Sequence, residues 1–312
     1  MSEMVDNGVV ANTMTGPTRA DPSPRARLLS AMPVTERRLD LAGIPTTILE
    51  GGDGRPVVLL HGPGEYAAKW IRVIPKLVKS CKVIVPDMPG HGESIVPEGR
   101  IEADHVFDWV KALIAKTCSA PPVLVGQILG GAIAARFASR HAELLSSLVL
   151  VDTLGLVRFQ PAPEFGQALS DFLAEPNGQT HDCLWRHCAF DLERLREHMG
   201  TDWDLIRAYN LDRARDMTLH ATQQSLMEQF GMPAILEAEL NSIMVSTTLI
   251  WGRHDLATPL SVAQATSKRL GWPLHVIEDA GDDPPIEQPE AFLSALDIAL
   301  GGSLATHEGE GR

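Results

Sequence analysis

The pattern that most directly suggests chemistry is the stretch PPVLVGQILGGAIAARFA, residues 121–138. An apolar run ends at Gly126, and Gly130 opens an alanine-rich helical pattern. A strand that turns sharply into a helix exposes the residue at the tip of the turn, where a nucleophile can reach a substrate. Ile128 stands at this tip, and its side chain has no lone pair with which to form a covalent intermediate. Nucleophilic catalysis at this position is therefore excluded.

The neighbouring side chains do not replace the missing nucleophile. Gln127 and Leu129 flank Ile128, and neither side chain is nucleophilic. Ser94 and His91 lie together in the turn VPDMPGHGES, and residues of such a turn more often support the fold than act as catalysts. We therefore expect no relocated nucleophile.

The four cysteines do not predict a metal centre. Cys183 and Cys188 lie in HDCLWRHC together with His181 and His187. Cys183 and His187 share one helical face, whereas the other two residues do not join it, so a complete set of metal ligands is missing. We expect neither a metal nor another cofactor.

Short β-rich runs alternate with amphipathic helical patterns along most of the chain. Several runs are unbroken Val, Leu and Ile, as expected for parallel strands that are buried on both faces. The predicted strands are Arg38–Leu41, Pro45–Leu49, Val57–His61, Val83–Pro86, Val123–Val125, Leu148–Val151, Thr247–Trp251 and Leu274–Ile277. The predicted helices are Ala67–Lys79, Ala103–Thr117, Gly131–His141, Leu260–Leu270 and Pro289–Leu300. This alternation predicts an α/β fold with a mostly parallel, doubly wound sheet.

Residues 158–243 contain no strand pattern, and their hydrophobic patterns predict helices throughout. An all-helical insertion after the sixth strand would lie over the carboxyl ends of the strands, where ligands bind in such sheets. We therefore predict a helical cap over residues 158–243 and an α/β core over 34–157 and 244–301. Residues 1–33 and 302–312 lack hydrophobic periodicity and are predicted to be flexible tails.

The overall composition limits the possible partners. The 312 residues carry a formal net charge of −13, and 44% of them are hydrophobic. A polyanion or an anionic membrane would be repelled by most of such a surface, so we expect neither nucleic acid nor membrane as a partner. The sequence has no transmembrane run and no signal-peptide pattern, which favours a cytoplasmic protein. No feature indicates the oligomeric state.

Five motifs together resemble the α/β-hydrolase superfamily over about residues 35–301. They are LLHGPGEYAAKW, VPDMPGHGES, VGQILGG, LIWGRHDLATP and DAGDDPPIEQPEAF, in the family's order and spacing. The resemblance implies an α/β-hydrolase fold with a helical cap. It places Ile128 at the nucleophile position, Asp255 at the acid position and Asp282 at the histidine position of the family's triad. The resemblance therefore implies a degenerate triad, in which the serine and the histidine are replaced.

The resemblance also locates the amides that would stabilise a developing oxyanion. His61 and Gly62 belong to the family's oxyanion loop, but Pro63 follows them and has no N–H to donate. The amides of Gly64 and Leu129 remain as candidate donors. We expect these residues to line the pocket.

The resemblance implies that Asp255 and Asp282 converge on the volume left by the serine and the imidazole. Ile128 would form an apolar floor there, flanked by Gln127. Two carboxylates in a poorly hydrated site cannot both ionise easily, so one pKa is expected to rise and the pair to share a proton. Asp282 is thus the candidate acid or base, with Asp255 as its partner. The adjacent Asp283 either lines the pocket or, as we rather expect, caps the next segment and faces solvent.

The leading hypothesis is an enzyme that uses this fold for chemistry other than hydrolysis. Proton transfer by Asp282 and Asp255 would drive cyclisation, isomerisation, elimination or Michael/aldol-type carbon–carbon bond formation on an apolar, polyketide-like small molecule in biosynthesis. Two alternatives stay open. One is a ligand-binding protein that has lost its chemistry, and the other is a hydrolase in which an aspartate activates water to attack an epoxide or an ester.

Overall fold

An eight-stranded sheet forms the centre of the computed structural model, which describes residues 22–302 and 304. Its strands are β1 (Thr35–Leu41), β2 (Ile44–Gly51), β3 (Arg55–Leu60), β4 (Cys81–Pro86), β5 (Val123–Gln127), β6 (Ser147–Val151), β7 (Thr247–Gly252) and β8 (Leu274–Ile277). They are ordered β1-β2-β4-β3-β5-β6-β7-β8. The β1–β2 and β2–β4 pairs are antiparallel, and the other five pairs are parallel. The predicted mostly parallel sheet is confirmed.

Helices flank this sheet and follow its strands along the chain. They are α1 (Pro24–Ser30), α2 (Ile74–Leu77), α3 (Ala103–Thr117), α4 (Leu129–His141), α5 (Pro163–Ala174), α6 (Gly178–Cys188), α7 (Leu192–Met199), α8 (Thr201–Ala214), α9 (Met217–Leu226), α10 (Glu237–Asn241), α11 (Leu260–Leu270), α12 (Pro284–Glu287) and α13 (Pro289–Ala299). The helix predicted over Ala67–Lys79 is divided into a 3-10 helix, Ala67–Arg72, and α2. Pro75 explains the division, because its ring disfavours continuation of a helix through this point. Within the described residues, no helix has the length and hydropathy needed to cross a bilayer.

Apolar side chains pack on both faces of the sheet. Along β3, Val58 and Leu60 belong to one hydrophobic cluster, while Val57 and Leu59 belong to the other. This alternation is the consequence of the two-residue repeat of a strand, and it explains why the parallel strands read as continuous hydrophobic runs. The carboxyl ends of β3, β5, β6, β7 and β8 therefore meet at one edge, where their loops carry the candidate site.

The helices α5 to α10 all lie between β6 and β7. Residues 158–243 are all described, and they contain no strand. This region contacts the core near the candidate site: the carbonyl of Cys188, at the end of α6, accepts the N–H of Asp282 at 3.0 Å. That the region acts as a cap over a substrate stays a prediction.

Helix α1 lies within the segment that we predicted to be a flexible tail. The side chain of Ser23 caps its first turn, and its proline occupies the first turn, where proline is tolerated. Leu28 is fully buried, and Arg25 is 5% exposed because acidic partners surround it. The prediction is wrong for residues 24–30, since a proline- and charge-rich composition concealed a helix that tertiary contacts stabilise. Residues 1–21 and most of the predicted C-terminal tail lie outside the described residues.

Candidate active site

Ile128 occupies a strained turn between β5 and α4. Its backbone has φ 47° and ψ −104°, and a β-branched residue is an outlier at positive φ. The N–H of Ile128 donates to the carbonyl of Val151 at 3.0 Å, and its own carbonyl accepts the N–H of Leu154 at 3.1 Å. Such strain costs about 1–3 kcal/mol and persists only where the surroundings enforce it. The strained backbone thus places residue 128 at the tip of the turn, although the residue is isoleucine.

Three glycines enforce the turn through close backbone approach. A Cβ on Gly126 would lie 2.4 Å from the carbonyl oxygen of Gly130, and one on Gly130 would lie 2.5 Å from the carbonyl oxygen of Leu60. A Cβ on Gly131 would lie 2.1 Å from Oγ1 of Thr153. Any larger residue would collide at these positions, so β5, the turn and the start of α4 must pack as observed.

His61 is a structural residue of the loop after β3. Its Nε2 accepts the N–H of Met88 at 3.0 Å, which leaves Nδ1 to donate to the carbonyl of Gly62 at 2.8 Å. Burial lowers the pKa of His61 to about 3, so the ring is neutral. Both ring nitrogens are occupied by backbone groups, and His61 is therefore unsuited to proton transfer.

The structure distinguishes two glycines in the predicted oxyanion loop. A Cβ on Gly62 would lie 3.3 Å from Cδ1 of Ile128, whereas one on Gly64 would meet no atom within 4 Å. The N–H of Gly62 is already engaged, because it donates to Oε2 of Glu65 at 2.8 Å. Leu129 begins α4, and the first amides of a helix have no acceptor within it. We call the strained turn at Ile128, between β5 and α4, the elbow. Gly62 is thus the glycine that faces the elbow, and the donor role of Gly64 stays a prediction.

Two buried aspartates meet where β6 and β7 end. Asp255 accepts the N–H groups of Ala257 and Thr258 at 2.7 and 2.8 Å, and Asp152 accepts the N–H of Gly252 at 2.8 Å. Oδ2 of Asp152 is buried without a hydrogen-bond partner, and the charge of Asp255 adds to the effect of burial on the pKa of Asp152. Burial raises the pKa of both, to about 6 for Asp255 and well above the usual range for Asp152. Asp255 therefore has an acidic partner that is absent from the predicted pair.

Asp282 lies beside this pair and is itself buried. Burial is the largest cause of its raised pKa, and the negative charges of Asp255, Asp283 and Glu287 raise it further. The charge of Asp255 thus reaches Asp282, and the convergence of the two carboxyl groups on one pocket stays a prediction. The raised pKa favours the protonated acid and makes its conjugate base stronger than an ordinary aspartate.

The environment of the Asp283 side chain differs most from the prediction. It is 2% exposed, and its Oδ2 pairs with Nζ of Lys69 at 2.5 Å. Its Oδ1 accepts Nε2 of Gln127 at 3.0 Å, and the same nitrogen donates to the carbonyl of Asp282 at 3.0 Å. The expectation that Asp283 faces solvent is wrong, because a buried ammonium compensates its charge. Gln127 is correspondingly a link between the elbow and the Asp282 loop.

Cys188 is another potential nucleophile near these carboxylates, but its environment suppresses reactivity. Burial and the adjacent charge of Asp282 raise the pKa of the thiol well above its usual range. The thiolate is the reactive form of cysteine, and a negative neighbour opposes its formation. Cys188 therefore does not replace the nucleophile that Ile128 lacks.

Sequence reasoning missed three charged residues of this site. Asp152 directly follows the buried run of β6, and a polar residue at the carboxyl end of a parallel strand is a usable signal. Glu65 and Lys69 are four residues apart, a spacing that brings side chains together on a helical turn. Neither pattern indicates which distant carboxylate Lys69 would meet, since that contact depends on the fold.

Comparison with known proteins shows similarity to hydrolases over most of the chain. The chain is 29% identical over 275 residues to the 2-hydroxy-6-oxo-6-(2'-aminophenyl)hexa-2,4-dienoic acid hydrolase of Metapseudomonas resinovorans, covering 83% of this chain and 89% of that protein. It is 29% identical over 255 residues to the pimeloyl-[acyl-carrier protein] methyl ester esterase of Chromobacterium violaceum, with coverage of 78% and 94%. The structure of the meta-cleavage product hydrolase from Pseudomonas fluorescens IP01, complexed with acetates, superposes with a TM-score of 0.70 at 26% identity, with coverage of 85% and 97%.

These similarities contradict our leading hypothesis of a non-hydrolytic cyclase or isomerase. All three similar proteins are named hydrolases or esterases. The hypothesis rested on two altered triad positions, Ile128 and Asp282, whereas the similarity extends through the whole fold. The comparisons favour the alternative of a hydrolase.

A family model for the alpha/beta hydrolase fold matches residues 55–289. The match includes the oxyanion loop, the strained elbow, the helices between β6 and β7, and the loop that carries Asp282. The sheet order and the elbow agree with the resemblance in the five sequence motifs. The chain therefore belongs to the α/β-hydrolase fold family.

Proposed function

We propose that this protein is an enzyme in which water attacks a carbonyl carbon directly and cleaves the C–O bond of a small-molecule ester or the C–C bond beside a ketone carbonyl. In this proposal Asp282 is the general base. The observation that carries it is the buried Asp282 carboxyl, whose pKa is raised by burial and by the charge of Asp255. The resemblance in the sequence motifs assigns this residue to the position of the family's histidine. The names of the similar proteins support hydrolysis, while Ile128 excludes an acyl-enzyme at the elbow.

The proposed reaction conserves all atoms in two proton transfers. The ionised Asp282 accepts a proton from water as the water oxygen bonds to the carbonyl carbon. The resulting oxyanion is stabilised by amides at the elbow, with Leu129 at the N-terminus of α4 as the candidate donor. Collapse of the tetrahedral intermediate breaks the bond to the leaving group, which takes the proton from Asp282. An ester and water thus give an acid and an alcohol, and a ketone and water give an acid and a fragment whose leaving carbon carries the proton from Asp282.

The buried pair makes Asp282 a better base than a solvated aspartate. A general base is most effective when its pKa lies close to the working pH. The charge of Asp255 adds to the effect of burial and raises the pKa of Asp282 further. Because a base must be ionised, kcat/KM is expected to rise as pH increases through the raised pKa of Asp282.

The test compares Asp282→Asn with Asp279→Asn. Asp279 lies on the same loop, its side chain is 54% exposed, and its positive φ is well tolerated by asparagine. We expect hydrolysis of a panel of small methyl esters and aryl-substituted oxo-dienoates to fall by about a hundredfold or more in Asp282→Asn, the usual contribution of a general base. Asp279→Asn should match the wild type.

A single turnover in ¹⁸O-labelled water, with enzyme in excess, identifies the attacking group. Attack by water places ¹⁸O in the acid product during the first turnover. Transfer of unlabelled oxygen in that turnover would instead identify a carboxylate nucleophile and would refute the proposal. Tight binding of panel compounds without any turnover would favour the ligand-binding alternative.

A further inference from the structure

We infer that Lys69 is a positioning residue of this site, whose buried ammonium holds the loops that carry Glu65, Gln127 and Asp283 in one arrangement around Asp282. The inference rests on the proposed role of Asp282 as the base. It adds a residue that does not itself touch the substrate but acts through the groups that do.

The environment of Lys69 is unusual for a lysine. The residue is 3% exposed, although lysine is almost never fully buried unless it is paired. Its Nζ forms ion pairs with Glu65 and, at 2.5 Å, with Asp283. The same atom lies 4.7 Å from the ring centroid of Trp185 in α6, a distance typical of a cation–π contact. The ammonium is thus compensated on three sides.

Each partner of Lys69 belongs to a different segment of the site. Glu65 accepts the N–H of Gly62, the glycine that faces Ile128. Asp283 accepts Nε2 of Gln127, which adjoins the elbow.

Gln127 also donates to the carbonyl of Asp282 at 3.0 Å. Trp185 lies on the same helix as Cys188, whose carbonyl accepts the N–H of Asp282. One buried cation therefore links the oxyanion loop, the elbow, the Asp282 loop and α6.

The charge of Lys69 also opposes the effect that the neighbouring anions have on the pKa of Asp282. Lys69 favours the ionised form of Asp282, whereas Asp255 and Asp283 disfavour it. The titratable and charged groups that interact with either residue are Glu65, Tyr66, His61, Cys188, Asp152, Asp255, Asp283 and Glu287. Without the ammonium, the charge of Asp283 would be uncompensated and Asp282 would ionise at a higher pH. A role confined to packing would not produce this effect.

The experiment measures the titration of Asp282 directly, so that it does not depend on turnover. The full-length protein is labelled with [γ-¹³C]aspartate, and the Asp282 resonance is assigned by its loss in Asp282→Asn. We expect Lys69→Met to raise the midpoint of that resonance by about one pH unit or more, from the loss of one nearby cation. Lys76→Met, an exposed lysine in the adjoining α2, should leave the midpoint unchanged.

The double variant Lys69→Met/Asp283→Asn removes the cation and its partner together. We expect it to return the Asp282 midpoint towards the wild-type value, because the uncompensated anion is gone. If Lys69→Met alone does not fold, the double variant is compared with Asp283→Asn, and the midpoint should still be higher in the double variant. Where activity is measurable, the rising limb of kcat/KM should move with the midpoint.

The outcomes separate this inference from the proposed function. An unchanged Asp282 midpoint in every Lys69 variant would overturn the inference, even in an active hydrolase. Midpoints that move as expected in a protein that hydrolyses nothing would support the effect of Lys69 on Asp282 while refuting the role of Asp282 as a base.

Discussion

The aspartates of the site show how the surroundings of a carboxyl group alter its pKa. Asp152 is buried beside the charge of Asp255, whereas Asp283 pairs with the ammonium of Lys69. The charges of Asp255 and Asp283 raise the pKa of Asp282, and the charge of Lys69 lowers it. Burial raises the pKa of all four aspartates, an anionic neighbour raises it further, and the cationic Lys69 lowers it for Asp282 and Asp283.

Asp152→Asn is expected to stabilise the protein at neutral and higher pH. The pKa values of Asp152 and Asp255 are raised by folding, so the folded state holds protons that the unfolded chain releases near its ordinary pKa of about 4. Their contribution to stability is complete below that pH and is lost as pH rises through the folded-state values, which for Asp255 is about 6.

Urea unfolding at about pH 5 and about pH 8 measures this effect. Between these values, the wild type should lose about 1–2 kcal/mol of unfolding free energy relative to Asp152→Asn. Asp108→Asn, an exposed residue of α3, is the control and should follow the wild type. Equal pH dependence in wild type and Asp152→Asn would show that the raised pKa of Asp152 does not contribute to the pH dependence of stability.

Residues of the site that belong to sequence motifs could be predicted, and residues defined only by tertiary contacts could not. Ile128, Asp255 and Asp282 were located because each stands at a fixed place in a motif after a strand. The burial of Asp283 was missed, because its partner Lys69 lies more than two hundred residues away in the chain. Charge composition likewise gives no sign that a lysine is buried.

The elbow is a property of its segment and not of the residue at its tip. The glycines of β5 and α4 and the hydrogen bonds to β6 impose the conformation, and Ile128 adopts φ 47° despite its branched side chain. A serine would therefore meet the same backbone. Asp255 is also in place, since its hydrogen bonds come from its own loop.

The double variant Ile128→Ser/Asp282→His is expected to react with a fluorophosphonate probe. The serine would occupy the tip of the turn, and the histidine would stand between it and Asp255 as its base. The wild type should not react, because isoleucine offers no nucleophile. Mass spectrometry of the labelled peptide measures the outcome.

Asp255→Asn added to this double variant is the matched control and should abolish most of the reaction. Failure of the folded double variant to react would show that the elbow and the Asp282 loop are not aligned as a triad requires. Labelling of the wild type at any serine would mean that the active site lies elsewhere.

Elements with strong hydrophobic periodicity were predicted correctly from the sequence. The parallel strands were found because burial on both faces leaves continuous Val, Leu and Ile runs. Helix α1 was missed, since only Leu28 and the aliphatic part of Arg25 mark its buried side. A helix this short depends on the rest of the protein for its stability.

Across the whole molecule, α1 connects parts of the fold that are distant in sequence. Arg25 forms ion pairs at 2.9 Å with Glu36 in β1 and with Asp87 after β4. It also donates to the hydroxyl of Tyr209 in α8 at 3.4 Å. The ring of Tyr209 packs edge-on against Tyr66, beside the oxyanion loop. This short helix thus joins the sheet to the helices between β6 and β7.

Arg25→Gln is expected to destabilise the protein by about 3 kcal/mol, the usual cost of removing one partner from a buried ion pair. The fully buried Asp87 would retain its backbone donors but lose its cation. Arg27→Gln, an exposed position of the same helix, should change the unfolding free energy by less than about 0.5 kcal/mol. Urea unfolding measures both variants, and equal stability would show that α1 is not needed to hold the fold together.

The strained turn at Ile128 has a consequence for the history of this gene. A single-base change converts most isoleucine codons to serine codons, and one other converts any aspartate codon to a histidine codon. The glycines that shape the turn would need no change. The distance between this site and the full triad that the resemblance implies is therefore two point mutations, Ile128→Ser and Asp282→His, on an existing backbone. Natural variation or a random library can cross that distance in either direction without passing through a different fold.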